Sequence, residues 1–296
     1  MSALSIPIQS LARSACICCG SARWKEYFRV LRKCRDCGFI RADIDLTHEQ
    51  VRKLYQEDYF QGEEYGDYLA DAVSHGKNFA ARLAVVRRLM GRNVGPLFEV
   101  GCAYGFWLQQ CSLAGIQCAG VDVCVEPVRH ARMVMGQNAQ VGDFLSLSLS
   151  RGQYRAFCLW DTIEHLSQPE QFVGKVYDLL PPGGWLFLTT GDIGSAFASW
   201  RGPRWRMIHP PTHLQYFSTE TMRRFLNRQG FQVMRCQSTP MYRNIGETLE
   251  RVAKLGKGIS RPIAQTLKQL VPSGAKELGF WLDLGDIMFV AARKTK

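Results

Sequence analysis

The sequence predicts an α/β chain: an open sheet with helices on both faces, preceded by a small metal-bound ribbon. Three observations carry this. Residues 97–105 read LFEVGCAYG, an apolar run with an acid at Glu99 that turns through Gly101 and Gly105 into an amphipathic stretch. Strand, glycine turn and helix start together open a nucleotide-binding βαβ unit, because glycines allow close backbone approach and the helix presents free N–H groups. Further apolar runs then end in acids: 116–121 in Asp122, the run closing Val141-Gly142 in Asp143, and 156–160 in Asp161. Finally, Cys16-x-x-Cys19 and Cys34-x-x-Cys37 flank fourteen residues.

Taken in order, residues 1–12 are expected to be flexible, and 13–45 to form the ribbon. Trp24, Tyr27 and Val30 alternate between the knuckles as a short hairpin would require. Residues 46–92 read as a helical cover over the nucleotide site. Thr47 and Gln50 form a capping box for a helix over 49–58, and a longer helix runs over 68–90. Residues 93–296 are the main domain. Asp122 falls about 20 residues after Gly101, where such folds place a carboxylate for ribose hydroxyls. A fifth strand, 185–190, follows Pro-Pro-Gly-Gly. Residues 191–217 are too long for a simple connection and read as a lid. A capped helix over 218–229, a strand over 231–236, basic helices over 245–280 and a last strand over 286–292 complete the domain.

Composition narrows the function classes. Of 296 residues, 46% are hydrophobic, and no apolar run approaches a membrane span. No secretory signal is recognisable, since Pro7 and Arg13 interrupt the N-terminus. Five of the eleven cysteines lie between Cys16 and Cys37. The expectation is a reducing, cytoplasmic setting, with structural zinc on Cys16, Cys19, Cys34 and Cys37. Cys18 has no partner at the right spacing. Net charge is +11, and residues 13–41 carry eight basic residues against two acids. That balance suits anionic partners, or a plain solvated surface.

EVGCAYG, GVD, GD, DTIEHL and LLPPGGWLFLTT, in this order, resemble the motifs of class I S-adenosylmethionine-dependent methyltransferases across residues 80–236. Ala103 departs from the pattern, standing where the turn often has another glycine. With the zinc knuckles, the DYF segment at 58–60 and HPPTHLQYFS, the chain is similar to bacterial methyltransferases with an N-terminal zinc-binding region, found in natural-product and sugar biosynthesis. The resemblance implies a Rossmann-like fold and S-adenosylmethionine as cofactor. It places Glu99, Gly101 and Gly105 at the cofactor's amino-acid end, Asp122 at the ribose and Asp143 at the adenine. Ala103, Val123, Phe144 and Asp161 stand beside them, and Tyr59 closes over the site. Glu99 could equally tie down the turn's N–H groups, and Tyr59 could simply pack.

Three readings stay open at the rim. His165 is a general base, or Asp161, Glu164 and His165 hold a divalent cation as similar segments do in some quinone-biosynthesis O-methyltransferases, or Glu164 and His165 cap the next helix. His209, His213 and Tyr216, around Pro210-Pro211, are candidate acceptor-facing residues on the lid. Arg201, Arg204 and Arg206, interleaved with Trp200 and Trp205, are a candidate phosphate grip or an ordinary basic loop.

The expected activity is O- or C-methylation of a small-molecule acceptor such as a sugar-nucleotide or polyketide, with anionic character favoured. The alternatives are an RNA methyltransferase guided by the basic ribbon, and a non-catalytic zinc-ribbon adaptor. Against the RNA reading, the chain lacks an Asn/Asp-Pro-Pro-Tyr/Phe motif, and Cys158 lies in a buried strand rather than after proline. Peripheral membrane contact by the basic helices is a weak prospect. Protein purified without chelator is expected to carry about one equivalent of zinc by elemental analysis. Less than about half an equivalent would remove the zinc reading.

Overall fold

The computed structural model describes residues 15–44, 46–56, 68–69, 71–91, 94–246, 248–249, 262, 266, 270–272 and 278–296. Residues 1–12, Tyr59 with its DYF segment, and most of the expected helical insertion lie outside the described residues.

The ribbon is an antiparallel meander of β1 (Trp24–Tyr27), β2 (Leu31–Cys34) and β3 (Ile40–Ala42). Two cover helices follow, α1 (His48–Gln56) and α2 (Ala72–Met90). The capping box at the start of α1 forms as the sequence suggests: Thr47 N–H donates to Gln50 Oε1 at 2.8 Å, and Gln50 N–H to Thr47 Oγ1 at 3.2 Å. The long helix starts at Ala72 rather than 68, because Tyr68 and Leu69 are in a turn.

The main sheet is built from β4 (Leu97–Val100), β5 (Cys118–Asp122), β6 (Ala139–Val141), β7 (Ala156–Trp160), β8 (Trp185–Gly191), β10 (Phe231–Ser238) and β13 (Ile287–Lys294). Its order is β10-β13-β8-β7-β4-β5-β6. Strands β4 to β8 run parallel, and β13 is antiparallel to both its neighbours. Helices α3 (Phe106–Leu113), α4 (Val125–Met133), α5 (Pro169–Leu179) and α7 (Thr219–Arg228) connect the strands.

Both sheet faces are covered, so the central strands are apolar on both sides. Strand β7 shows the alternation. Ala156, Cys158 and Trp160 pack with Val86, Trp107 and Phe289, whereas Phe157 and Leu159 pack with Phe98, Phe172 and Val290. Cys158 is thus a core residue. The chain leaves β4 outward through β5 and β6, then restarts at β7 on the other side of β4. The switch point between the C-terminal ends of β4 and β7 is where open α/β sheets bind ligands.

Two expectations change here. The helical insertion does not extend to residue 280: β12 (Gly279–Leu282) pairs antiparallel with β11 (Met241–Asn244). The 191–217 segment is no free-standing loop either. It contains α6 (Ala196–Arg201) and β9 (Gln215–Tyr216), and β9 pairs with β3 of the ribbon, Ile40 opposite Tyr216 and Arg41 opposite Gln215. Leu31, Ile40 and Ala42 of the ribbon, Val51 of α1, and Trp205, Leu214 and Tyr216 of the insertion share one small core.

Residues Trp205 and Arg206 do not form a phosphate grip. Trp205 is buried and its Nε1–H donates to Asp286 Oδ2 at 2.8 Å, while Arg206 pairs with the same buried carboxylate. Arg201 lies beside the exposed ring of Trp200, its guanidinium 5.7 Å from the ring centre. Asp286 therefore pins the insertion to the sheet. Asp286→Ala leaves a buried indole N–H and a guanidinium without their acceptor, and is expected to cost about 2–3 kcal/mol in urea unfolding. An unchanged midpoint would show that the insertion is held elsewhere.

Candidate active site and cysteine cluster

The cleft is organised by the turn after β4. Gly101 has φ of 81°, and a Cβ there would sit 2.6 Å from Thr162 Oγ1 just beyond β7. Gly105 shares that φ, and its Cβ would lie 2.9 Å from the Ala131 methyl. Both positions require glycine by conformation and by space. Ala103 adopts a positive φ of 42° despite its methyl group.

Its N–H donates to Asp122 Oδ2 at 2.8 Å, and Cys124 N–H donates to Oδ1 at 2.9 Å. Asp122 thereby ties the glycine turn to the turn after β5, with Val123 between the bonded residues. Each carboxylate oxygen keeps a lone pair for a ribose hydroxyl. No side chain caps α3, so its first N–H groups remain available to a ligand.

Charge is concentrated beside this turn. Glu99 is buried, its Oε2 has no hydrogen-bond partner among the described residues, and burial pushes its carboxyl well above the usual carboxylate range. Arg82 reaches in from the buried face of α2. Its Nη2 lies 3.1 Å from Asp161 Oδ2, and its guanidinium is 5.4 Å from the Trp160 ring centre. It also offsets part of the rise at Glu99. Asp161, at φ 49°, accepts from Thr189 Oγ1 at 2.9 Å.

A guanidinium paired with one carboxylate and near enough to act on a second, buried carboxyl, beside a tight backbone turn, suits a zwitterionic amino-acid group. An orphaned buried carboxylate oxygen, with no room for a side chain at Gly101, fits a cofactor entering here. Arg82 escaped the sequence reading, although an arginine between Phe79 and Leu83 on an apolar helix face was a visible signal.

The turn after β6 is equally organised. Asp143 Oδ1 accepts Leu145 N–H at 2.9 Å, and Oδ2 lies 2.9 Å from His48 Nε2. His48, on α1, was not anticipated. Nothing local marks it, since the pairing spans 95 residues. The Phe144 ring belongs to the core against Phe98, Phe157 and Phe172, so only its backbone can serve the cofactor. Lys175 Nζ donates to the carbonyls of Phe144, Leu145 and Leu147 at 2.7, 2.8 and 2.5 Å, holding that loop. Among the described residues, Tyr68 stacks against Tyr104 of the glycine turn, ring centres 5.3 Å apart.

The short turn after β7 carries Glu164 and His165. The expected trio Asp161, Glu164 and His165 is not assembled, because Asp161 is engaged by Arg82 and Thr189. Donor atoms of Glu164, His165 and His213 instead lie within 4.8 Å of one another. Both Glu164 oxygens are buried without a well-formed hydrogen bond among the described residues. Burial first, and Asp161 second, push its carboxyl up to about 8, which the Thr190 hydroxyl and Arg82 only partly offset.

His165 Nδ1 is 2.9 Å from the Thr212 carbonyl, and His213 Nδ1 2.9 Å from that of Met207. A carbonyl only accepts, so each Nδ1 carries the proton and each Nε2 is the basic nitrogen. Burial, then the neighbouring imidazoles of His165 and His209, hold His213 well below the usual histidine range. His209 lies tilted against His213 with ring centres 3.7 Å apart, its Nδ1 2.7 Å from Thr212 Oγ1. Tyr216 differs from expectation. It is buried in the ribbon–insertion core and its hydroxyl donates to the His213 carbonyl at 3.0 Å, so it supports the loop rather than facing an acceptor.

At the ribbon, Cys16 Sγ is 3.5 Å from Cys37 Sγ and Cys19 Sγ 3.6 Å from Cys34 Sγ, with all four within 4.8 Å. A tetrahedral zinc–thiolate centre has sulfur–sulfur edges of about 3.8 Å. Gly20 and Gly38, both at φ 80°, close the two knuckles. Cys18, set aside by spacing, is buried next to this cluster. Its thiol hydrogen-bonds the Cys16 sulfur and is the main reason that Cys16 is lowered to about 5. The four residues fit structural zinc, which would supply a closed cross-link between the knuckles.

A family model described as a methyltransferase domain matches residues 65–235. The chain belongs to the methyltransferase-domain family. Its sheet is that of the class I, S-adenosylmethionine-dependent branch. The magnesium protoporphyrin IX methyltransferase of Synechocystis PCC 6803, solved with bound S-adenosylhomocysteine, superposes with a TM-score of 0.52 at 14% identity, covering 83% of this chain and 98% of that one.

Among curated proteins, the ubiquinone biosynthesis O-methyltransferase of Bordetella bronchiseptica is 26% identical over 116 residues, 37% of this chain and 48% of that enzyme. That of Shewanella halifaxensis is 25% identical over the same length, 49% of its own. This methyltransferase-domain chain spans about half the length of the curated relatives it matches. Among its described residues, no helix is long and apolar enough to cross a membrane.

Glu164 carries a pH signature. Its folded-state value of about 8 lies above its ordinary 4.5, so its contribution favours the fold at low pH and is lost as pH rises through about 8. From about pH 5 to pH 8, the native chain should lose thermal stability relative to Glu164→Gln, whose amide does not titrate. Parallel melting profiles would show that Glu164 is not held protonated.

Proposed function

We propose that this chain transfers the methyl group of S-adenosylmethionine to a hydroxyl of a small-molecule acceptor, with His165 as the base. The observation carrying this is the pairing of the Glu99–Gly101–Asp122 cradle with a histidine whose basic Nε2 stands just past β7. The cofactor, when bound, supplies an activated methyl group on a sulfonium. The chain's residues do the rest.

Arg82 and Asp161 hold the donor's amino-acid group, Asp122 the ribose and Asp143 the adenine. The turn at 162–165 brings His165 to the acceptor side, where its Nε2 takes the hydroxyl proton as the oxygen–carbon bond forms and the carbon–sulfur bond breaks. Protonated Glu164 keeps a second negative charge away from the reacting oxygen. The O-methyltransferase relatives support oxygen over carbon as the atom methylated, and the chain's net charge of +11 suits an acceptor with anionic character.

The ribbon's own contacts support a small acceptor over RNA. Its β3 edge is used by β9, and Arg23 and Arg32 pair with Asp36 and Asp43. A second reading rests on the orphaned Glu164 oxygens: a divalent cation held by Glu164, His165 and His213. Strict dependence on added magnesium or manganese, with the ribbon zinc retained, would replace the base by that cation.

Calorimetry with S-adenosylhomocysteine, and NADH as control, tests the class. Micromolar binding of the former alone is expected, weakened by at least about tenfold in both Asp122→Ala and Arg82→Ala. Absence of binding to folded protein would overturn the proposal. On an identified acceptor, His165→Ala should lower kcat by about 10²–10⁴. An unchanged kcat would remove His165 from the chemistry.

A further inference from the structure

We infer that the four-cysteine ribbon is a positioning device for His165 and the neighbouring His213, acting through the strand it shares with the 191–217 insertion. The inference rests on the reading of His165 and His213 given above, but its test does not.

Leu214 is the joint. Its carbonyl accepts Ala42 N–H of β3 at 2.8 Å, and its own N–H donates to the Glu164 carbonyl at 2.7 Å. One residue is thus held by the ribbon on one side and by the turn carrying Glu164 and His165 on the other. It directly follows His213, and Thr212 before that supplies the carbonyl orienting His165. Gln215 adds a second tie, its Nε2 donating to the Leu166 carbonyl at 2.9 Å.

On the ribbon side, β2 ends at Cys34, and Phe39 lies two residues beyond Cys37. The Phe39 ring packs on Phe217 at 5.1 Å, immediately after β9. A four-residue strand such as β2 and a three-residue strand such as β3 do not hold a register alone. The cysteine cross-link supplies the rigidity that β9 inherits. Without it, the β3 edge loosens, Leu214 loses one of its two holds, and both imidazoles lose their fixed orientation. Cys16, Cys34 and Phe39 also pack into the core on one face of the main sheet, but the parallel ladder of β4, β5, β7 and β8 and the hydrogen bonds of Asp122 to the turns after β4 and β5 include no ribbon residue.

The test uses the full chain, zinc-loaded and then zinc-depleted with chelator, with zinc quantified in each state. Hydrogen exchange should show protection of residues 207–217 falling by at least about tenfold on depletion, while strands β4, β7 and β8 keep theirs. Histidine-labelled NMR should show the His165 and His213 ring signals moving while His75 in α2 and His130 in α4 stay in place. S-adenosylhomocysteine affinity should change by less than about threefold.

Ala42→Pro removes the β3 N–H that grips Leu214 but none of the thiols. It should retain about one equivalent of zinc and still lose protection over 207–217. The inference is overturned if depletion exposes residues 31–42 while 207–217 and both histidine signals remain unchanged. It is equally overturned if depletion unfolds the main sheet, since zinc would then support the whole chain. Failure of the zinc-loaded chain to bind S-adenosylhomocysteine would count against the methyl-transfer reading alone.

Discussion

The approach of Gly101 to Thr162 is the constraint on which the rest of the cleft depends. The chain must leave β4 at a left-handed backbone angle, against a side chain from the far side of the switch point, with no space for a Cβ. Only that contact allows the turn to close over the C-terminal ends of β4 and β7 together. Asp122 then reaches back to Ala103, Glu99 is sealed beneath, and Asp161 and His165 follow β7 at the opposite lip. Widening the turn would separate Glu99 and Asp122 from Asp161 and His165.

Electrostatics explains why the cleft holds its charges as it does. Glu99 and Glu164 are both buried, and both are driven toward the neutral acid by desolvation more than by neighbours. Arg82 is the counterweight, paired with Asp161 and close enough to moderate Glu99. With Glu99 and Glu164 held toward the neutral form, Arg82 and Asp161 are left as a balanced charged pair at this end of the cleft.

A second level of organisation joins the two ends of the chain. The ribbon is continuous in hydrogen bonding with the insertion, the insertion is anchored by Asp286 near the C-terminus, and α1 reaches Asp143 through His48. The ribbon, α1 and the insertion therefore share one small core. His165 and His213 are oriented by the backbone carbonyls of Thr212 and Met207, and His209 by the Thr212 hydroxyl, which makes loop order the quantity that matters.

Much of this was legible in the amino-acid order, for a reason of locality. Apolar runs of four to eight residues ending in acids declare parallel strands, Gly101 and Gly105 declare the turn, and paired Cys-x-x-Cys knuckles declare a metal site, because each signal is set by neighbours along the chain. The capping boxes at Thr47 and Ser218 formed for the same reason. Whatever depended on distant residues was decided only by tertiary structure. The pairing of His48 with Asp143, of Arg82 with Asp161 and of β3 with β9 joins positions 79 to 176 residues apart. Burial turned Tyr216 and Trp205 from candidate ligand contacts into supports, and replaced Asp161 by His213 beside Glu164. Side-chain periodicity shows which face of an element is apolar, whereas the partner that fills that face is set by packing and desolvation across the whole fold.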